Sequence, residues 1–411
     1  MPLIQRVTLW TPVVMTQLCG IVAIGACLAA EKEVVKVDFY VTVPADTAPD
    51  ATIYLAGNLS EIGGWKADGV ALNRLDTGEY HAQLRLPRGR TLEYKVTRGS
   101  WDTVEKGPGG AELHNRTLAL DADTVQRVQV AGWRTEVPTT SGAVAVRKST
   151  VTGDVRVHED FKSQHLGNSR RLLVYLPPDY EKDKSQRYPV LYMQDGQNLF
   201  DDATSFAGEW HVDETAERLI KEGKIRPLII VGIENAGGDR VDEYTPVSSR
   251  GEGGRGALYA KFVVDEVKPF IDKTYRTKPD QASTGIGGSS LGGLISLYIV
   301  KQHPDVFGRC AAVSPSLWWN LGQFLAEAQK DAAWARGTRI WFDMGTKEDE
   351  ENVMISQMRI NDCTDFARSL ERAGLKPGQD FTWRKIEGAT HNEAAWADRF
   401  DDVLIYLYGR D

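Results

Sequence analysis

Cysteine is scarce. The 411 residues contain four, and two of them, Cys19 and Cys27, fall in a leading apolar segment. Cys310 and Cys363 are left for the folded part, too few for a disulfide framework or a cysteine-built zinc site. Cys363 shares helical spacing with Phe366 and Leu370, which reads as a buried thiol. Positive charge is also outnumbered: the net charge is -8, which argues against a nucleic-acid partner, since that would want a basic face. No internal repeat or low-complexity tract stands out, and the composition is that of an ordinary globular protein. Nothing in these residues implies a metal or an organic cofactor. The length is more than one typical core needs, so two domains are expected.

Charge is missing altogether between Val7 and Ala30. The run ends in Gly25-Ala26-Cys27-Leu28-Ala29-Ala30 before Glu31-Lys32-Glu33. This predicts a secretory signal peptide over residues 1–30 and an exported protein, periplasmic or extracellular. Ile24-Gly25-Ala26-Cys27 also resembles a lipoprotein cleavage box, which would make Cys27 a lipid anchor. A retained N-terminal membrane anchor is the third reading, since the run is long enough to span.

Short alternating stretches follow. Val35, Val37, Phe39, Val41 and Val43 alternate with polar residues, as do Tyr80 to Leu86 and Leu92 to Val96. Glycine and proline separate them. The pattern predicts a small antiparallel β-sandwich over 31–133. Tyr54-Leu55-Ala56-Gly57-Asn58-Leu59 to Gly63-Gly64-Trp65, Leu86-Pro87 and Glu93-Tyr94-Lys95-Val96 resemble a starch-binding carbohydrate-binding module. The resemblance implies a sugar platform of Trp65, Trp101 and Lys95, with an α-glucan or related polysaccharide as partner. Sugar ring faces stack on indole and lysine donates to hydroxyls. Strand parity puts Lys95 opposite Leu92, Tyr94 and Val96, hence toward solvent. The stretch from Trp101 to Arg116 departs from the best-known members. The alternative is that Trp65 and Trp101 are sandwich core.

Residues 134–153, with Pro138-Thr139-Thr140-Ser141-Gly142 at their centre, read as a flexible linker. From 154 to 411 the period changes. Apolar runs at Leu172–Leu176, Val190–Met193, Leu228–Ile233, Cys310–Val313, Ile340–Met344 and Phe381–Ile386 alternate with helical patterns. This predicts a mostly parallel sheet covered on both faces. Within it Gly288-Ser289-Ser290-Leu291-Gly292 is a G-x-S-x-G match, with a strand before and an apolar helix after, as a nucleophile elbow requires. Glycines let strand and helix approach around a strained Ser290.

A serine nucleophile needs a base and the base an orienting acid, here in the chain order serine, acid, histidine. Two histidines follow Ser290. His303 precedes the candidate acid and lies at the wrong end of the sheet, whereas His391 follows the last strand. The acid should come from Lys347-Glu348-Asp349-Glu350-Glu351, with Glu348 chosen and Asp349 next. Backbone amides of Leu291 and Gln197 are the expected oxyanion donors. The alternative for Asp195-Gly196 is a tight turn. Trp318 and Trp319 are candidates for an acyl or sugar wall, or for core.

Asp195-Gly196-Gln197-Asn198-Leu199-Phe200, Asp242-Glu243-Tyr244-Thr245-Pro246, Gly288 to Gly292, Ser314-Pro315-Ser316-Leu317-Trp318-Trp319 and Gly388 to Trp396 occur in an order that resembles an esterase family. That family of α/β-hydrolases holds enterochelin, feruloyl and acetyl-xylan esterases and mycolyltransferases. The resemblance implies Ser290, Glu348 and His391 as a triad. The family acid is often Asp, which keeps Asp349 open. The expected architecture is an α/β-hydrolase fold preceded by the β-sandwich. The expected function is that of an exported serine esterase hydrolysing an acyl ester on or near a carbohydrate, against three rivals: siderophore ester hydrolysis, acyl transfer, and glycan binding by an idle hydrolase.

Overall fold

A computed structural model describes residues 34–410 except Pro49, Asp76, 109–112, His114, 135–148, Phe206, Ala207, Arg250 and 350–351. The leading segment with Cys27, and most of the expected linker, lie outside the described residues. Among the described residues no helix is long and apolar enough to cross a membrane.

The N-terminal region is built from β1 (Val34–Thr42), β2 (Tyr54–Gly57), β3 (Val70–Ala71), β4 (Asn73–Arg74), β5 (Tyr80–Pro87), β6 (Thr91–Thr97), β7 (Glu105–Lys106), β8 (Arg116–Ala119), β9 (Thr124–Gln129) and β10 (Gly132–Trp133). They form two four-stranded sheets, β4-β5-β1-β9 and β3-β2-β6-β8, and a β10-β7 pair. Alternation dictates which side chains meet between the sheets. Val35, Val37, Phe39 and Val41 from β1, Leu86 from β5, and Leu92, Tyr94 and Val96 from β6 form one buried cluster. The pairings are antiparallel except for β1 with β9, which run parallel. A two-residue period fixes the buried face but says nothing about strand direction.

The second region holds β11 (Asp154–Lys162), β12 (Ser169–Leu176), β13 (Val190–Gln194), β14 (Ile229–Ile233), a short β15–β16 hairpin (Ser248–Ser249, Glu252–Gly253), β17 (Thr284–Ser289), β18 (Arg309–Val313), β19 (Arg339–Lys347) and β20 (Phe381–Thr390). The eight-stranded order is β11-β12-β14-β13-β17-β18-β19-β20. β11, β12 and β14 pair antiparallel, and β13 onward is parallel throughout.

Successive strand residues face opposite helical layers. Val190, Tyr192, Cys310, Ala312, Ile340 and Phe342 pack with α5 (Leu291–Gln302), α6 (Trp319–Lys330) and α7 (Val353–Arg372). Their neighbours Leu191, Met193, Ala311, Val313 and Trp341 pack with α1 (Val212–Lys221) and α9 (Phe400–Tyr408). Burial on both faces explains why these strands read as continuous apolar runs. The remaining helices are α2 (Arg240–Tyr244), α3 (Gly256–Lys261), α4 (Lys268–Thr274) and α8 (Glu393–Ala397), with a π-helical stretch, Phe262–Val267, joining α3 to α4.

Val34–Asp411 is one compact unit. Arg90 of the first region pairs with Glu252 of the β15–β16 hairpin, and Arg134 lies 3.8 Å from Asp202. The last residues before β11 are anchored too. Ser149 Oγ donates to Asp201 and Thr150 Oγ1 to Glu209, so the C-terminal end of the expected linker is fixed rather than loose.

Candidate active site

Ser290 sits at the break between β17 and α5 with φ 57° and ψ -122°. This is strained backbone for a side chain with a Cβ, and the surroundings hold it there. Its amide donates to Val313 O at 3.0 Å, and its carbonyl accepts from the Ser316 and Leu294 amides at 3.0 and 3.1 Å. Close approach demands glycine beside it. A Cβ on Gly288 would lie 2.9 Å from the Gln194 side chain and 3.0 Å from the Gly292 backbone. Leu291 is the first residue of α5, so its amide belongs to the helix end that lacks intrahelical acceptors.

The hydroxyl of Ser290 bonds to Ser316 Oγ at 3.2 Å. Ser316 is a residue that reading for triad members passes over. Its only sequence signal is its place in Ser314-Pro315-Ser316, directly after the strand next to the elbow. Ser314 has φ 43°, and its hydroxyl is fully used: it donates to Glu348 Oε1 at 2.7 Å and accepts from Trp396 Nε1 at 3.2 Å and Arg399 Nη2 at 2.6 Å.

Glu348 and His391 are brought together by β19 and β20. His391 Nδ1 bonds to Glu348 Oε2, and the other carboxylate oxygen accepts from Ser314 and from the Gly345 amide at 2.6 Å. Burial alone would raise the Glu348 pKa, but attraction to His391 and the bonds from His391, Ser314 and Gly345 outweigh it and hold the carboxyl below its ordinary value. The acid side chain is 3% exposed and the imidazole 31%, so one partner is enclosed and the other reaches the surface. The His391 ring also meets the edge of Trp396, centroids 5.0 Å apart.

Asp349 is elsewhere. Its Oδ1 accepts from the Asn352 amide at 2.8 Å, and its own amide donates to Ser356 Oγ. These bonds shape the turn into α7. Beneath Glu348 lies a second ionic layer. Arg399 Nη2 is 3.0 Å from Asp343 Oδ1, and Trp341 Nε1 donates to Asp343 Oδ2 at 2.7 Å. Burial pushes the Asp343 pKa up despite Arg399.

Gln197 lies in a short 3-10 turn, Gly196–Asn198, entered through Asp195 in the left-handed region. Asp195 does more than turn the chain. Arg240 grips its carboxylate in a fork, Nε to Oδ1 at 2.7 Å and Nη2 to Oδ2 at 2.8 Å. Asn235 Nδ2 also donates to Oδ1, and the Asp195 amide donates to Tyr244 Oη. The Asp242–Tyr244 motif is therefore a brace for this turn. It is itself pinned by Glu243, whose carboxylate makes two 2.8 Å bonds to buried Arg170.

The two tryptophans after β18 differ. Trp319 Nε1 donates to Val247 O at 2.8 Å, and its ring borders a cavity of about 230 Å³ that runs beside Leu294, Tyr298 and Gln302 on α5. Trp318 is 39% exposed under the Arg359 guanidinium, 4.4 Å from the ring centroid. In the N-terminal region Trp65 and Trp101 are neighbours, centroids 6.3 Å apart at 43°, and both are half-buried rather than core. Lys95 is half-buried, with its ammonium donating to the Leu113 carbonyl.

The chain is similar to known proteins along most of its length. A family model described as Putative esterase matches residues 163–407, and a model described as Starch binding domain matches 34–118. An uncharacterised protein of Bacillus subtilis, YbbA, is 30% identical over 258 residues, 61% of this chain and 96% of that protein. An endo-1,4-beta-xylanase/feruloyl esterase of Xylanibacter ruminicola is 27% identical over 317 residues, 72% of this chain, which spans 40% of that relative. A solved IroE-like serine hydrolase of Shewanella oneidensis aligns with a TM-score of 0.50 at 20% identity, over 61% of this chain and 79% of that one. At that identity the likeness speaks for an α/β-hydrolase-like fold. With its own family model covering more than half of its residues, the chain belongs to the Putative esterase family, hydrolases of ester bonds, and carries a starch-binding domain ahead of the esterase region.

Proposed function

We propose that the chain is an exported serine esterase that cleaves an acyl ester carried on a polysaccharide, with Ser290, His391 and Glu348 as its triad. The observation that carries this reading is a strained serine at a strand-to-helix elbow in the same sheet as an imidazole already bonded to a buried carboxylate. In the resting enzyme Ser290 Oγ rests on Ser316. With substrate present the hydroxyl turns to His391 Nε2, which accepts its proton as Oγ attacks the ester carbonyl. Glu348 holds the imidazole through Nδ1 and stabilises its charged form. The Leu291 and Gln197 amides receive the oxyanion. The alcohol leaves with the proton from His391, and water then releases the acyl group from Ser290 by the same steps. Ser290→Ala should fold normally and lose on the order of a thousandfold or more in turnover of a small chromogenic ester. Substantial turnover in a clean preparation would sink the assignment.

The polysaccharide half of the reading is supported by the place of Trp65. Trp65 and Lys66 line a cleft of about 570 Å³ whose other wall is Ala236–Asp239 of the esterase region. That wall is flanked by Asn235 and Arg240, the residues that hold Asp195 beside Gln197. A glycan stacked on Trp65 and Trp101 would therefore lead toward the oxyanion turn. Trp318 is the indole that remains open to substrate, while Trp319 is committed to Val247. Siderophore ester hydrolysis, acyl transfer to a sugar and an idle hydrolase are the rivals. Purified protein offered acetyl, feruloyl, long-chain acyl and siderophore esters, free and on α-glucan, should prefer the glycan-borne ester. Preference for the siderophore ester would replace this reading.

A further inference from the structure

We propose that the turn Glu209–Glu214, ahead of α1, is a site for one divalent transition-metal ion, zinc foremost, ligated by Glu209, His211 and Glu214. One donor atom from each lies within 4.8 Å of the others. His211 Nδ1 is 3.3 Å from Glu209 Oε2 and 3.8 Å from Glu214 Oε2. Ligands at about 2.0–2.2 Å from zinc stand roughly 3–4 Å apart, so the donors need only small shifts.

Acidic residues in the first turn of a helix are ordinary, because the helix end favours them. The burial here is not ordinary. Glu209 is 5% exposed, and its Oε1 has no hydrogen-bond partner among the described residues. Glu214 Oε2 and Asp213 Oδ1 are likewise buried and accept no hydrogen bond from a described residue. Glu209 and Asp213 are enclosed and Glu214 only partly so, and the His211 imidazole stands against both Glu209 and Glu214. His211 is held at φ 52°, a conformation a non-glycine residue adopts at a cost, and this aims its ring at both carboxylates. Two carboxylates with one imidazole suit zinc better than the all-oxygen shells of calcium or magnesium. The half-exposed imidazole leaves the outer side for water.

The ion would be structural. Thr150 Oγ1 donates to Glu209 Oε2, fixing the strand entry to this turn. Trp210, between two of the ligands, donates its amide to Asn198 O and packs on Trp396, centroids 5.7 Å apart. Trp396 in turn meets His391. A bound ion would thus fix the backing of both the oxyanion turn and the histidine loop.

The test uses untagged, chelator-stripped protein titrated with Zn²⁺, Mn²⁺, Ca²⁺ and Mg²⁺ by calorimetry, with thermal unfolding measured alongside. One Zn²⁺ per chain should bind in the micromolar range or tighter, and saturating Zn²⁺ should raise Tm because the unfolded chain lacks the site. Glu209→Gln and His211→Ala should each weaken that binding on the order of a hundredfold. His211 is largely exposed and Glu209→Gln keeps the shape, so metal-free circular dichroism should match the parent for both. Absence of stoichiometric Zn²⁺ binding by the parent overturns the proposal. So does binding that both variants retain, or tighter binding of Ca²⁺ than of Zn²⁺.

Discussion

Two adjacent carboxylates after β19 divide the work. Glu348 bonds to His391 and Asp349 to the turn into α7. Glu348→Gln should therefore lower kcat on the order of 100- to 10,000-fold, whereas Asp349→Asn should leave kcat within a few-fold. Equal losses would transfer the acid role. The pH dependence has a definite sign. Glu348 is held below its ordinary value of 4.5 when folded. Its contribution to stability is complete above that value and is lost as pH falls through the lower folded one. In Glu348→Gln the acid-side decline of Tm should be shallower than in the parent. Ser314→Ala leaves Arg399, Trp396 and Glu348 each short of a bond. About tenfold or more in activity should go with it, since an acid free to tilt no longer orients its imidazole. At this scale the sequence revealed what is tied to backbone punctuation. The strained turn at Ser290 shows through its glycines, and the loop that carries His391 through its place after the last apolar strand. Glu348 against Asp349 could not be read, because neighbouring residues on an irregular turn have no period to say which points inward. Ser316, Asp343 and Arg399 act through contacts between residues distant in the chain, and spacing is blind to these.

At the scale of elements, the pairing of β19 with β20 is the part that brings Glu348 and His391 together. It tightens at Gly345, where a Cβ would stand 2.2 Å from Ala389 O and 2.8 Å from Glu348 Oε1. Gly345→Ala must push the two strands apart just ahead of both residues. It should cost about 1–3 kcal/mol in stability and a larger share of activity than Tm alone suggests. α7 supplies the control. Asn352 caps it by accepting from the Met354 and Ile355 amides, so Asn352→Ala should cost about 1 kcal/mol with kcat nearly unchanged. Urea unfolding separates the two. The apolar runs predicted β12 to β14, β18 and β19 within a few residues, because burial on both faces leaves continuous hydrophobic segments, whereas β17 shows through the glycine elbow that follows it and β20 runs past its apolar start. The parallel pairing of β1 with β9 and the π-helical stretch Phe262–Val267 were not legible. Both depend on hydrogen-bond partners that periodicity does not encode.

Over the whole molecule, the module rests on the esterase region through Arg90 and Glu252, where composition suggested a loose tether. Arg90→Ala or Glu252→Ala should leave turnover of a small soluble ester unchanged and lower turnover of a starch-bound ester several-fold, since an undocked module still binds but no longer aligns the chain. Equal rates on both substrates would show that docking is irrelevant to catalysis. Trp65→Ala with Trp101→Ala should abolish retention on starch, two stacking contacts being worth roughly a few kcal/mol together. A parent protein that is not retained on any α-glucan would remove the carbohydrate reading and leave the esterase intact.

Cys310 lies in β18 and Cys363 in α7, both fully enclosed, and burial pushes both thiols well above their ordinary range. A thiol that is neither ionised nor reachable does not react with alkylating reagents. With Cys19 and Cys27 replaced by alanine, each remaining thiol becomes a clock for the opening of its own element. The parallel sheet and the helix that carries the acid loop can then be timed separately by mass spectrometry, one labelled mass at a time, in a protein that needs no added probe.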